Sequence, residues 1–248
     1  MLPVVWLKEE WAGLLEIFLP PVCPLCSKSL VGMVQKGFCA DCRAGMPPLT
    51  PPCCPRCALP YPTASGSDHL CEECLRRPPP FLWTAAAGIY DGELRRAIRH
   101  FKFNGAFHLD GALAELLREA LTVRLDSFAP QLLVPVPLHP SRLRQRSFNQ
   151  ALLLARHLGR HCHIAVAPRL LQRVRATPPQ PGLSVEERRR NLRQAFALGR
   201  PLTGERVLLI DDVMTTGATA RACAEVLRAG GAAEVAVAVL GRAQRQQL

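Results

Sequence analysis

The chain has 248 residues, of which 48% are hydrophobic, and its formal net charge is +11. This length holds one domain of ordinary size and a small second one, and the composition is that of a globular protein rather than a disordered one. The opening residues lack the features of a secretory signal, and no apolar stretch approaches the length of a membrane span. We therefore expect a cytoplasmic protein without a membrane-spanning segment.

The positive charge is concentrated in one part of the chain. Residues 1–80 carry seven basic and seven acidic side chains, whereas residues 81–248 carry 24 and 13. Twelve arginines lie between residues 140 and 193, where only Glu186 and Glu187 oppose them. A local basic field of this kind suits a polyanionic ligand, and both a pyrophosphate compound and a nucleic acid meet that description.

The first predicted element is a short amphipathic helix within residues 1–19, which Pro20 and Pro21 end. Residues 22–75 follow it, and they are rich in cysteine, proline and glycine without a sustained periodicity. A segment this small cannot build a sufficient apolar core of its own. It therefore needs another source of stability.

Eight cysteines of this segment form four Cys-x-x-Cys knuckles, which indicate metal binding rather than disulfide bonds in a cytoplasmic chain. Two knuckles complete one tetrahedral structural zinc site, so four knuckles predict two Zn²⁺ ions. Binding of such an ion contributes on the order of 10 kcal/mol to folding. The predicted ligands are Cys23, Cys26, Cys39, Cys42, Cys54, Cys57, Cys71 and Cys74.

The sequence allows three ways of pairing the four knuckles. We favour sequential pairing, the first knuckle with the second and the third with the fourth. The gaps of twelve and thirteen residues within these pairs suit a hairpin. An interleaved pairing, of the first knuckle with the third and the second with the fourth, is the alternative.

Residues 76–80 indicate a stiff linker, after which apolar strands alternate with helices. This alternation predicts an α/β fold with a doubly wound parallel sheet, and we expect domains at residues 1–80 and 81–248. Predicted strands lie at residues 83–90, 132–140, 163–167, 207–210 and 234–240. Predicted helices lie at residues 92–103, 109–121 and 148–158, from Ser184 onward, and from the 215–219 run to Gly230.

Three alternating arginines follow the proline-rich end of the second predicted strand, and we expect them on a loop. Their spacing suits contact with successive phosphates of a nucleic acid, although a loop rich in counter-charges would show the same pattern. His139 fits a residue that orients this loop as well as one that contacts a ligand. The three arginines are Arg142, Arg144 and Arg146.

Residues 207–219, VLLIDDVMTTGAT, are the most informative stretch. Four apolar residues predict a strand buried on both faces, and Asp211 and Asp212 stand at its carboxyl end, where open α/β sheets place ligands. Residues 215–219 then open a helix, and a helix N-terminus lined by hydroxyls and unpaired N–H groups is an anion site. Carboxylates accept from sugar hydroxyls and threonines donate to phosphate oxygens. The stretch therefore predicts a pocket for a sugar phosphate.

This stretch resembles the 5-phosphoribosyl 1-pyrophosphate (PRPP) signature of type I phosphoribosyltransferases. Over nearly its whole length the chain resembles the ComF family, which are competence-type phosphoribosyltransferase-like proteins with an N-terminal double zinc ribbon. One departure is Ser147, where the family usually has glycine. Besides the knuckles and the signature, the resemblance rests on residues 101–105, 135–139 and 148–150 and on Arg142, Arg146, Arg175, Thr177, Gln180, Arg188 and Asn191.

The resemblance implies a type I phosphoribosyltransferase fold, in which a parallel sheet flanked by helices lies under a hood of variable sequence. It implies that Asp211 and Asp212 hold the ribose hydroxyls and that residues 137–139 meet the pyrophosphate with Mg²⁺. Residues 175–182 would close over the site, with Arg175 stabilising the charge on a departing pyrophosphate. The implied catalytic residues are Asp211, Asp212 and Arg175. The implied PRPP-binding residues are Pro137, Leu138, His139, Asp211, Asp212, Val213, Met214, Thr215, Thr216, Gly217, Ala218 and Thr219.

Two functions agree with these residues. The first is the transfer of ribose 5-phosphate from PRPP to an acceptor that the sequence does not name. The second, which rests on the arginine cluster and on what the resemblance to competence proteins implies, is a module for single-stranded DNA that acts with other DNA-uptake proteins and has a regulatory or vestigial PRPP site. The zero net charge of residues 1–80 favours a structural or protein-docking role for the ribbons. Phe148 is the only aromatic residue from 140 to 193, which argues against recognition by base stacking.

Overall fold

A computed structural model describes residues 20–31, 37–63, 65–103, 107–175 and 195–244. Its elements are α1 (Ala40–Ala44), α2 (Glu72–Arg76), β1 (Thr84–Ile89), α3 (Gly92–Phe103), a 3₁₀ helix (Phe107–Leu109), α4 (Asp110–Phe128), β2 (Leu132–Pro135), α5 (Pro140–Arg146), α6 (Gln150–Cys162), β3 (Ala165–Val166), β4 (Leu171–Arg173), β5 (Phe196–Leu198), β6 (Arg206–Met214), α7 (Ala218–Ala229) and β7 (Glu234–Arg242). The predicted helix in residues 1–19, the one opening at Ser184 and residues 176–182 of the predicted closing loop lie outside the described residues. Within the described part, no helix has the length and apolar character needed to cross a membrane.

Five parallel strands form the main sheet in the order β1-β7-β6-β2-β3. The central strand β6 pairs with two neighbours, so that Leu209 lies opposite Val237 on one side and Val134 on the other. Residues 207–210 have no exposed surface, because neighbouring strands occupy both edges and packed elements cover both faces. The predicted parallel α/β sheet is confirmed.

The sheet separates two hydrophobic clusters, since side chains of a strand alternate between its faces. Leu208 and Ile210 of β6 join a cluster with helices α3, α4 and α6. Val207 and Leu209 join a second cluster with α7. The same alternation places the side chains of Asp211 and Asp212, which come next in β6, on opposite faces of the sheet.

The two cysteine-rich ribbons pack on opposite faces of the sheet. The first ribbon, residues 22–46, adds Leu25 and Leu30 to the α3/α4/α6 cluster. The second ribbon, residues 53–76, adds Leu59 to the α7 cluster. Both ribbons therefore share the hydrophobic core of the sheet, while the domain boundary at residue 80 stays a prediction.

The expectation of an arginine loop after β2 is wrong, because this segment is helix α5. Pro140 occupies its first turn, where the missing N–H costs nothing. His139 caps the helix, since its Nδ1 accepts from the backbone N–H of Ser141 at 3.2 Å. The residues on this helix are Arg142, Arg144 and Arg146.

Ser147 ends α5 in the left-handed conformation, with φ 64°. Its N–H donates to the carbonyl of Leu143 at 2.7 Å, which closes the last turn. Glycine adopts this conformation without strain, whereas another residue pays about 1 kcal/mol. The left-handed conformation at this position explains why glycine suits this turn.

A small second sheet was not predicted. Strands β4 and β5 pair antiparallel, with Arg173 opposite Phe196. The Arg173 guanidinium also lies over the Phe196 ring, 5.5 Å from its centroid. The pairing joins segments on either side of residues 176–194 and holds Arg173 near the end of β6.

Gly88 of β1 tests the packing of the segment that follows the first ribbon. A Cβ at Gly88 would lie 2.6 Å from the carbonyl oxygen of Pro47 and 2.9 Å from Cδ2 of Leu94. We expect Gly88→Ala to lower the free energy of unfolding in urea by about 1–3 kcal/mol. Gly111→Ala is the control, because its Cβ would meet only His157 at 3.7 Å and alanine favours helix α4. Equal losses in the two variants would contradict this packing.

Candidate functional site

Each ribbon brings four cysteine sulfurs within 4.8 Å of one another. These sets are Cys23, Cys26, Cys39 and Cys42 in the first ribbon, and Cys54, Cys57, Cys71 and Cys74 in the second. This is the sequential pairing, so the interleaved alternative is wrong. All these sulfurs come from the eight predicted ligands.

The sulfur geometry fits structural zinc. Sγ atoms lie 3.5 Å apart between Cys26 and Cys39, and 3.7 Å apart between Cys57 and Cys71. Four sulfurs placed tetrahedrally about 2.3 Å from one ion are about 3.8 Å apart. Cys39 also caps α1 by accepting from the N–H of Cys42 at 3.5 Å, which orients this knuckle. Zinc bound in these sites supplies the cross-links that the ribbons need in place of a core of their own.

The acids at the end of β6 turn to opposite faces of the sheet. Asp212 is 9% exposed, and its Oδ1 lies 2.9 Å from Nζ of Lys102 at the end of α3. Asp211 continues the face of Leu209 and interacts electrostatically with Arg173. A cation therefore stands beside each carboxylate.

Burial and, after it, the charge of Asp212 raise the pKa of Asp211 to about 7, although the backbone N–H of Asp212 and the charges of Lys102 and Arg173 act in the opposite direction. Burial also lowers the pKa of Arg173, and the nearby charge of Arg142 adds to this effect. Asp211 therefore loses its proton close to neutral pH. A carboxylate with such a poised charge is typical of functional sites.

The loop after β6 presents hydroxyl and N–H donors. Thr215 and Thr216 are exposed, and Thr219 is partly exposed in the first turn of α7. Gly217 precedes this helix with φ 78°, a conformation that glycine adopts freely. As the N-cap it offers no side-chain oxygen to the helix, although the hydroxyl of Thr216 accepts from the N–H of Ala218 at 3.3 Å. The loop thus has the composition of an anion site at a helix N-terminus.

Residues 137–139 leave the sheet next to these acids. The strand β2 lies beside β6, and the N–H of Val136 donates to the carbonyl of Ile210 at 2.9 Å. His139 is partly buried, with Nδ1 2.7 Å from Oγ of Ser141. This contact supports the orienting role among the two that the sequence left open for this histidine.

The predicted site residues divide into two groups in the structure. Residues 211–214 form the last part of β6, residues 215–219 follow it, and residues 137–139 follow the neighbouring parallel strand β2, so that all of them lie at the same edge of the sheet. Arg175 is exposed beyond β4, on the segment that carries Arg173. On α5, Arg144 is exposed whereas Arg142 and Arg146 are partly buried. These three arginines therefore lie on a helix and differ in exposure, instead of following one another along the predicted loop.

Sequence reasoning missed three cations of the site, which are Lys102, Arg173 and Arg242. The contact of Lys102 with Asp212 joins distant parts of the chain, and no local pattern announces it. Arg242 carried a readable signal, because it is a charge at the end of the apolar run of the last strand. It is 3% exposed in the structure.

Asp211→Asn tests the electrostatics of the site. The pKa of Asp211 is raised above its ordinary 3.8, so the folded state holds this proton more tightly than the unfolded state. The contribution of Asp211 to stability therefore falls as the pH rises from about 4 to about 7. We expect Asp211→Asn to raise the Tm at pH 8 and to have a smaller effect at pH 5, measured by thermal unfolding.

Asp212→Asn is the matched variant, because it leaves the largely buried Lys102 without its carboxylate. It should lower the Tm at both pH values, since a buried charge without its partner is costly. A lower Tm of Asp211→Asn at pH 8 would show that its carboxylate is not disfavoured by burial.

Two known domain families match separate parts of the chain. Residues 14–75 match the double zinc ribbon domain, and residues 150–248 match the phosphoribosyl transferase domain. The first match covers both cysteine clusters, and the second covers the central strand with its acids and the loop at 215–219. The matched segments therefore contain the two sets of residues that the structure brings together.

Whole proteins are similar along most of the chain. It is 36% identical over 228 residues to the DNA utilization protein YhgH of Escherichia coli K12, which covers 90% of this chain and 98% of that protein. It is 34% identical over 219 residues to Competence protein F of Haemophilus influenzae, with 85% and 93% covered. It is 27% identical over 209 residues to Competence protein ComFC of Bacillus subtilis, with 79% and 80% covered. The chain therefore belongs to the family of Competence protein F and DNA utilization protein YhgH, the ComF family that its motifs resemble.

Proposed function

We propose that the chain binds PRPP with Mg²⁺ at the carboxyl edge of the sheet and transfers its ribose 5-phosphate to an acceptor. The observation that carries this proposal is the placement of the acids and of residues 215–219 and 137–139 at the ends of β6 and β2. PRPP needs three kinds of contact: acceptors for its ribose hydroxyls, donors for its 5-phosphate and donors for its pyrophosphate. This edge offers all three.

The acids bind the ribose hydroxyls in this proposal. Lys102 holds the carboxylate of Asp212 in one position, with 2.9 Å between Nζ and Oδ1. Asp211 accepts a hydroxyl hydrogen bond best when it is ionised, and its pKa of about 7 leaves it so above neutral pH. Two fixed acceptors select a sugar with vicinal hydroxyls and give its ring one orientation.

Residues 215–219 bind the 5-phosphate in this proposal, because three threonines, each at least partly exposed, lie at the N-terminus of α7. The backbone after β2, residues 137–139, binds the pyrophosphate. Arg173 and Arg175 add positive charge on the β4 segment, which favours pyrophosphate as a leaving anion.

Mg²⁺ accompanies the pyrophosphate in this proposal. The carboxylate of Asp211 and the backbone carbonyls of residues 137–139 are oxygen donors of the kind that Mg²⁺ takes. When bound, the ion neutralises part of the pyrophosphate charge.

The reaction is a substitution at C1 of the ribose. The bond from C1 to the pyrophosphate oxygen breaks, and pyrophosphate leaves with the electron pair. The acceptor forms a new bond to C1 and gives up a proton to solvent. The chain's own contribution is to orient the sugar and to stabilise charge on the departing group.

Calorimetric titration of PRPP with Mg²⁺ tests the site. We expect saturable binding by the zinc-loaded protein and a loss of at least about 100-fold in affinity for the Asp211→Ala/Asp212→Ala variant, because two charge-assisted hydrogen-bond acceptors are removed. Asp126→Ala is the control, since Asp126 is exposed near the end of α4. Equal affinity of the wild type and the double variant would overturn the assignment of the acids.

Single-stranded nucleic acid is a second candidate ligand. Arg95, Arg96 and Arg99 are exposed on α3, and the side chain of Gln150 donates to the carbonyl of Lys102 at 3.5 Å. This contact joins the end of α3 to the start of α6, and Gln150 also accepts from Nη1 of Arg146 of α5 at 3.3 Å, which brings the ends of α3 and α5 close together. Binding of single-stranded DNA would fit a cytoplasmic role beside other DNA-uptake proteins. The names of the relatives, which refer to competence and DNA utilization, support this second candidate.

Binding of single-stranded DNA at several salt concentrations tests this second function. We expect log K to fall linearly with log salt, by about 0.7 for each phosphate neutralised. Replacing Arg142, Arg144 and Arg146 with alanine should make the slope shallower by about 2. A slope that stays unchanged in this variant would exclude α5 from the nucleic-acid surface, and a slope near zero for the wild type would argue against direct binding.

A further inference from the structure

Arg242 is a buried cation that bridges the second ribbon and the loop after β6. It lies at the end of β7 and is 3% exposed. On one side its Nε donates to the carbonyl of Cys57 at 2.7 Å, and its Nη2 lies 3.8 Å from the sulfur of Cys57. On the other side its Nη1 donates to the carbonyls of Met214, at 3.1 Å, and of Thr215.

The charge of Arg242 requires compensation, because a buried cation without a counter-charge is costly. None of the ion pairs between described residues involves this arginine. Cys57 is a predicted zinc ligand and is a thiolate in that role. Four thiolates around one divalent ion leave a formal charge of about −2. The second cysteine cluster is therefore the counter-charge that this arginine contacts.

The contacts of Arg242 fix the first half of the loop. The carbonyl of Met214 accepts from Arg242 and also from the N–H of Ala243 at 3.0 Å. The carbonyl of Thr215 turns to the same guanidinium. Two successive peptide groups are thereby oriented toward the interior just before Gly217 turns the chain into α7. The donors of residues 216–219 take their positions from this anchored start.

The first ribbon has no comparable contact within the described residues. Its end meets other elements, since the N–H of Glu93 donates to the carbonyl of Gly45 and that of Ile89 to the carbonyl of Pro47, both at 2.9 Å. Those bonds join it to α3 and β1. Within the described residues, the second metal centre is therefore linked to the loop through Arg242, whereas the first is linked to α3 and β1.

We propose that Arg242 is a positioning residue through which the metal state of the second ribbon sets the shape of the loop at 215–219 and its affinity for a phosphate. Loss of metal from this ribbon releases the loop, whereas loss from the first ribbon does not. The phosphate ligand rests on the function proposed above, but the coupling between metal and loop does not.

Hydrogen exchange of the full-length protein without ligand tests the coupling directly. The variants are Cys71→Ser in the second ribbon, Cys39→Ser in the first ribbon as its match, and Arg242→Lys. A lysine keeps the charge, but its single ammonium cannot span the carbonyls of Cys57 and of the loop. Metal analysis should find two zinc ions per chain in the wild type and in Arg242→Lys, and one in each cysteine variant.

We expect amides of residues 214–219 to exchange at least about tenfold faster in Cys71→Ser and Arg242→Lys than in the wild type. Exchange there should be unchanged in Cys39→Ser. Equal acceleration by both cysteine variants, or wild-type exchange in Arg242→Lys, would overturn the proposal. If circular dichroism shows that Cys71→Ser does not fold, the metal-loaded Arg242→Lys decides the question alone.

Titration with ribose 5-phosphate and with pyrophosphate adds a readout that a general loss of stability would not produce. Arg242→Lys should bind ribose 5-phosphate at least about tenfold more weakly and pyrophosphate within about threefold of the wild type, because only the loop at 215–219 is released. An equal loss for both ligands would overturn the positioning role. If the wild type binds neither ligand, the proposed function fails while the exchange result still decides the coupling.

Discussion

The complete burial of residues 207–210 in β6 is the constraint on which the rest of the structure depends. Its apolar residues at 207–210 need cover on both faces, and neither the helices nor the ribbons supply it alone. Burial becomes incomplete from Asp211 onward, because Asp211 is partly exposed and Asp212 is 9% exposed, so the acids stand at the boundary between core and solvent. At that boundary a charge keeps enough hydration to exist but feels its neighbours strongly. This position at the boundary accounts for the pKa of Asp211, which is about 7, and for the ion pair that holds Asp212 in place.

Zinc and apolar burial are joined in this fold rather than separate. The ribbons are too small for cores of their own, and each gives its apolar side chains to one face of the sheet. Metal binding therefore stabilises the surfaces that cover the sheet, and the sheet in turn gives the ribbons something to pack against. The second ribbon is also connected to the loop after β6, because Arg242 donates to the carbonyls of both Cys57 and Thr215.

Patterns that are local in sequence predicted their structure well. The cysteine knuckles and the run at 207–219 carry their chemistry within a few residues, and helix α3 has the bounds expected for it. Helix α4 extends to Phe128, past the predicted end at Leu121, and its last turn buries Phe128 before Ala129 turns left-handed. Helix α5 was missed because two nearby prolines indicated a break, although Pro140 opens the helix instead.

Contacts between distant segments could not be predicted in this way. Lys102 meets Asp212, and Arg242 meets Cys57, only because the sheet order brings the ends of separate elements together. Neither pair has a spacing that a periodicity or a motif would reveal. The loops could therefore be identified from the sequence, whereas the contacts that Lys102 and Arg242 make with them could not.

The order of the strands has a consequence for synthesis. Among the described strands, β1 pairs only with β7, so the first strand of the main sheet cannot form its hydrogen bonds until the last strand has been synthesised. On a ribosome both ribbons emerge early with β1 beside them, while the partner strand is still unmade. An unpaired strand edge in a nascent chain is a site of misassociation, and chaperones shield such edges. Metal loading can fold the ribbons at that stage, whereas their apolar side chains and this edge stay uncovered until the remaining strands are made.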